Sequence, residues 1–172
     1  MTAIRFQAAP YTIGRWTIFR LPQPASAKLP SRGLVLAQGT VNGSPFQGPL
    51  EPDGQGSHWL KIDKRLRASE PAELVIEPLD DWPEPDVPAD LQAGIAAAPP
   101  QVQQLWDDIT PAARWDWIRW IRSTNNPATR AKRIKVASSQ MQAGKRRPCC
   151  FNRNMCTEPD VSKGGVLLEP PA

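Results

Sequence analysis

An α+β chain, a small antiparallel β-barrel followed by a helical subdomain, is what this sequence predicts, and three observations predict it. Apolar and polar residues alternate through roughly the first 80 residues, with no helical period among them. After Pro88 the apolar residues recur at three and four instead, the spacing of one helix face. The 20 prolines fall between candidate elements and so punctuate many short segments.

Ile4-Arg5-Phe6-Gln7-Ala8 alternates as a strand should, and Trp16 to Leu21 does so less cleanly, with Gly14 in the turn between them. Gln23 to Arg32, rich in Pro, Ser and Ala, reads as a loop. Gly33 to Val41 is the next strand. Asn42-Gly43 follows it, a hairpin signal because both residues tolerate positive φ. The chain returns along Pro45 to Leu50, turns through Glu51-Pro52-Asp53-Gly54-Gln55-Gly56, and continues as Ser57 to Ile62. Glu73 to Glu77 is the last strand. Short strands joined by tight turns suit a barrel better than an open sheet, whose edges would stay exposed.

Asp80 to Pro88 is an acidic, proline-broken connector, which divides the chain into a barrel domain (1–79), the connector (80–88), a helical domain (89–148) and a tail (149–172). Asp90 sits in the first turn of a short helix with Leu91 and Ile95 on one face, and Pro99-Pro100 stops it. Val102, Leu105, Trp106 and Ile109 mark a second helix. Thr110-Pro111 is an N-cap followed by proline at the first helical position. The helix it opens lines up Ala113, Trp117, Trp120 and Ile121, widened by Ile118. Asn126-Pro127 repeats the start signal for a helix with a thin stripe of Ala131, Ile134, Ala137 and Met141, ending at Gly144. The tail beyond Cys156 has the composition of a flexible terminus, with Val166-Leu167-Leu168 its one apolar point.

Charge is uneven. Between Arg114 and Arg153 stand 11 basic residues and one acid, Asp116, so this block suits an acidic partner, protein or nucleic acid. The candidate binding residues are Arg130, Arg133, Lys135, Lys145, Arg146 and Arg147. Trp106, Trp115, Trp117 and Trp120 beside them could stack on bases, although helical spacing places three of them on the buried face or its margin. Cys149, Cys150 and Cys156 follow Lys145-Arg146-Arg147; cations lower a thiol's pKa, so thiol reactivity or soft-metal binding is the chemistry open to them. Their spacing is not that of a zinc site, and their odd number is not that of a disulfide framework. His58 is the only histidine, and no G-x-S-x-G elbow accompanies it. It alternates with Trp59, so one of the pair faces inward and the other outward. Gly54-Gln55-Gly56 is a turn and not a phosphate loop, so no cofactor is expected. No apolar run approaches the roughly 20 residues that span a bilayer, and Met1 to Trp16 lacks the apolar core of a secretory signal; a cytoplasmic protein is the expectation.

Val87-Pro88-Ala89-Asp90-Leu91, Trp120-Ile121, Ala128 to Ile134 (ATRAKRI) and Gly144 to Phe151 (GKRRPCCF) resemble the YdeI/OmpD-associated family, also labelled bacteriocin-protection. Gly39 to Phe46, Leu50 to Gly56 and Lys64 to Arg67 resemble a small β-barrel domain of unknown function often fused ahead of it. The likeness runs from Ile4 to Phe151. Two departures stand out: the turn over Ala68 to Ala72 is shortened, and Arg122 to Asn125 replaces the usual Ala-Lys. The resemblance implies a stress- or antimicrobial-resistance-associated bacterial protein and offers no catalytic residue. The reading is therefore a non-enzymatic binding protein with a basic helical surface. Its alternatives are a thiol- or metal-handling protein and an enzyme with a pocket between barrel and helices; oligomeric state stays open.

Overall fold

The computed structural model of the chain describes residues 3–62, 71–149 and 151–170; Lys64 to Arg67, most of the shortened turn after them, and Cys150 lie outside the described residues. Two compact units result, one comprising Met1–Asp81, Arg153–Cys156 and Asp160–Ala172, the other Trp82–Asn152 and Thr157–Pro159.

The first unit is a seven-stranded antiparallel half-barrel: β1 (Ile4–Ala8), β2 (Pro10–Ile13), β3 (Trp16–Arg20), β4 (Val35–Val41), β5 (Ser44–Pro52), β6 (His58–Lys61) and β7 (Ala72–Pro78), in the order β1-β7-β4-β5-β6-β3-β2. The end strands β1 and β2 are separated by Ala9 alone, so the sheet must roll to bring its two ends to one corner. β2 was not expected as a strand; it opens on Pro10, a residue tolerated at a strand's first position. Asn42 (φ 48°) and Gly43 (φ 83°) form the predicted hairpin turn between β4 and β5. Asn42 also ties that turn to β7, its N–H donating to Glu73 O at 2.8 Å and its Oδ1 accepting from Glu73 N at 2.9 Å.

β5 carries three prolines, and hairpin geometry accommodates the first two. Val41 faces Ser44 across the turn, so the pairs Thr40–Pro45 and Leu36–Pro49 are the non-hydrogen-bonded ones. Their nitrogens point away from β4, toward an edge that β6 joins only at Glu51 and Pro52. At Gly39, β4 and β7 approach so closely that a Cβ would run into the Val75 carbonyl.

Alternation fills the interior with Phe19, Val35, Ala37, Leu50, Leu60, Leu74 and Ile76. The segment expected as a loop contains a one-turn helix, α1 (Gln23–Ser26), and places Leu21, Ala25 and Leu29 in the same core. The opposite face of β2, β3 and β6 should then meet water, yet Ile13, Ile18 and Trp59 are buried there too. The tail covers them. Instead of trailing as a flexible terminus, it forms a small hairpin of β8 (Ser162–Lys163) and β9 (Val166–Leu167), with Cys156, Val161 and Leu167 packed on that face. Leu167 N–H donates to Asp53 O at 2.9 Å, and Arg20 bridges Asp53 and Glu169. Gly54 (φ +80°) lies so near the Gly165 carbonyl that a side chain there would collide with it. The turn at Asp53 is thus the seat of the hairpin, and that approach is why a glycine stands at 54.

The second unit contains α2 (Ala89–Ala96), α3 (Pro100–Asp108), α4 (Pro111–Arg122) and α5 (Pro127–Gln142) around Leu91, Val102, Trp117, Ile121 and Met141. Both predicted caps are present: Thr110 accepts from Ala113 N at 3.2 Å, and Asn126 from Ala128 N and Thr129 N at 2.9 and 3.2 Å. α2 and α5 cross where Gly94 removes a side chain that would strike Ile134. Ala131, assigned to the apolar stripe of α5, is instead exposed, which leaves Ile134, Ala137 and Met141. No helix among the described residues is long and apolar enough to cross a membrane.

Candidate functional site

Most of the basic block is used within the helical unit. Arg130 grips Asp90 with two hydrogen bonds, at 2.5 and 3.1 Å, which joins α5 to the first turn of α2. That bonding holds the Asp90 carboxyl below the usual carboxylate range and raises Arg130 further. Arg133 closes the C-terminal end of α4, donating to Trp120 O at 2.9 Å and Ser123 Oγ at 2.6 Å with its guanidinium 5.9 Å from the Trp120 ring. Arg146 reaches Asp108 at 2.9 Å, and Arg147 bonds Asp116. Lys135 and Lys145 are exposed, as is Lys132, and among the described residues no hydrogen bond or ion pair engages these three side chains. On α5, Lys132 and Lys135 share the solvent face with Ser139 and Gln142, three to ten residues apart at helical spacing.

The tryptophans follow the packing reading. Trp106 and Trp117 are buried, Trp117 Nε1 donates to Arg146 O at 3.0 Å, and Trp115 and Trp120 are half-buried. Arg114 lies 5.9 Å from the Trp106 ring and bonds Glu84, Trp106 O and Asp107 O.

Sequence reasoning missed the charge network built on α4. Arg119 is fully buried, 3.6 Å from the buried Asp116 and 5.4 Å from the Phe151 ring. Asp116 therefore sits between Arg119 and Arg147, while Arg122 pairs with Glu158 at 3.1 Å. An ionised guanidinium tolerates full burial only with charge and hydrogen-bonding partners at hand. The one hint in the sequence is that Asp116 is the sole acid in a basic run, three residues before Arg119.

The cysteines diverge. Cys149 is exposed in the helical unit, whereas Cys156 is buried in the barrel unit against Ile13, Ile18 and Trp59. Among the described residues, no group of three or more His, Cys, Asp or Glu side chains is placed to hold a metal ion.

His58 belongs to a buried lock. Its Nε2 lies 2.8 Å from Gly33 O, and a carbonyl only accepts, so Nε2 carries the proton and Nδ1 accepts from Ser26 Oγ at 2.7 Å. Arg32 donates to Ser26 Oγ and O, to Leu29 O and to Gly56 O, which ties α1 to the turn before β6. Burial pushes the His58 pKa down from its ordinary value. Ser26 and His58 are both fully buried, and the pair joins α1 to β6 within the barrel unit.

No curated protein matches the chain. Residues 3–74 match the family model of a domain of unknown function, DUF1905, which covers β1 to the middle of β7. Residues 84–144 match the model described as bacteriocin-protection, YdeI or OmpD-associated, which spans all four helices of the second unit. The chain therefore joins a DUF1905 domain to a bacteriocin-protection (YdeI or OmpD-associated) family domain.

Proposed function

We propose that this is a cytoplasmic, stress-associated binding protein of the bacteriocin-protection type, which engages an acidic partner through Lys132, Lys135 and Lys145. The observation that carries the reading is the division of labour among the cations. Arg130, Arg133, Arg146 and Arg147 each hold a helix end or a carboxylate inside the unit, while the three lysines stand in solvent with no such engagement. Lysine suits that role, as a hydrated point charge on a flexible stem that needs no fixed fork geometry.

The reading fixes a magnitude. If the partner is a duplex and three phosphates are neutralised, raising salt from about 50 to about 200 mM should weaken binding about 40-fold; six contacts would weaken it about 2,000-fold. Fluorescence anisotropy with a short labelled duplex and with labelled poly-glutamate measures this. The expected result is salt-sensitive binding of one probe that is lost in the Lys132→Glu/Lys135→Glu/Lys145→Glu chain. Failure of both probes to bind at low salt, or unchanged binding by the triple variant, overturns the proposal.

A further inference from the structure

We propose that the outer face of the half-barrel, around Glu77, Gln38 and Gln47, is a binding site for a small neutral saccharide-like molecule. The strand register builds it. Gln38 on β4 faces Glu77 on β7 on one side and Gln47 on β5 on the other, which sets a carboxylate and two carboxamides in one row. The next row holds Val75, Thr40 and Pro45. Together they line an open groove of about 640 Å³, along the same stretch where Gly39 lets β4 and β7 crowd together.

The groove presents to solvent a row of hydrogen-bonding groups that the fold itself does not use. Glu77 and Thr40 are partly buried, yet among the described residues the side chains of Glu77, Gln38, Gln47 and Thr40 make no hydrogen bond or ion pair. Glu73, two outward positions along β7 from Glu77, instead has Arg5 at 3.8 Å. Each carboxamide supplies two donors and an acceptor, the hydroxyl supplies both, and the carboxylate only accepts. Such a set matches adjacent hydroxyls, while Val75 and Pro45 offer apolar surface to the C–H face of a ring. The lone carboxylate disfavours anions. An added peptide strand is also disfavoured: the ladders of β7 and β4 are already paired on both sides, and Pro45 and Pro49 remove donors from the open edge of β5. The volume lies in the range of small-molecule sites.

The test is an NMR titration of the full ¹⁵N-labelled chain with glucose, N-acetylglucosamine and maltose, with weak affinity on the order of 1 mM expected for ligands of this size. At least one probe should give saturable shifts at the Gln38 and Gln47 side-chain amides and at backbone amides 38–40, 45–47 and 75–77. Gln38→Ala/Gln47→Ala, at exposed positions where the fold should survive, is expected to weaken that probe at least about tenfold, as is Glu77→Ala. Spectra that superpose elsewhere establish that the variants are folded. The proposal is overturned if no probe gives saturable shifts there, or if the shifts persist undiminished in the variants.

Discussion

Truncating Leu167 to alanine tests whether the C-terminal hairpin is a structural part of the barrel unit. The side chain is 2% exposed and packs with Ile13, Ile18, Trp59, Cys156 and Val161 on the face of β2, β3 and β6 opposite the barrel interior. Buried Leu→Ala changes cost roughly 2–5 kcal/mol, the spread reflecting how far the site can collapse. A two-residue strand at the chain's end can close part of the gap, so about 2–3 kcal/mol is expected. With a urea slope of about 1.5 kcal/mol/M, the midpoint of the barrel unit should fall by about 1–2 M. Hydrogen exchange of amides in the β3–β6 ladder, between Ile18 and Lys61, reports on this unit separately from the helices. Leu168→Ala is the internal control: its side chain is 39% exposed, and its replacement should cost under about 0.5 kcal/mol. A tail that trailed in solvent would make the two substitutions equal. If Leu167→Ala moves the midpoint no further than Leu168→Ala does, the hairpin contributes nothing and the packing argument is wrong.

Two further outcomes follow from the buried polar groups. His58 has a depressed pKa in the folded chain, so the unfolded chain binds its proton first on acidification. Stability is therefore complete above about pH 6.5 and declines as pH falls below it, by at most about 1.4 kcal/mol per pH unit. Because this is the chain's only histidine, His58→Gln should flatten the slope between about pH 5.5 and 6.5, and an unchanged slope in denaturation midpoints refutes the assignment. Asp116→Asn preserves shape but removes the carboxylate between Arg119 and Arg147; about 3 kcal/mol should be lost from the helical unit, and a loss below about 1 kcal/mol by urea titration would show that Arg119 is held otherwise.

Elements whose information is local were legible in the sequence. Asn42-Gly43 specified its turn because both residues tolerate the positive φ that lets a two-residue loop match the twist of its strands. Thr110-Pro111 and Asn126-Pro127 specified two helix starts because cap and first-turn geometry involve residues at most three apart. Inward and outward faces followed from period two and period three to four.

What the tertiary structure alone decided were the pairings across long separations. Alternation assigned His58 and Trp59 to opposite faces, but it carries no information about what covers the outer one. More than a hundred residues separate Trp59 from Leu167, and Val166-Leu167 is too short for any periodicity to register. The basic block met the same limit. Composition counts charges, whereas whether an arginine faces solvent depends on a carboxylate brought to it by folding, as Asp90 is to Arg130 and Asp116 to Arg147. Burial and ion pairing are properties of neighbours in space, and a one-dimensional pattern records only neighbours in sequence.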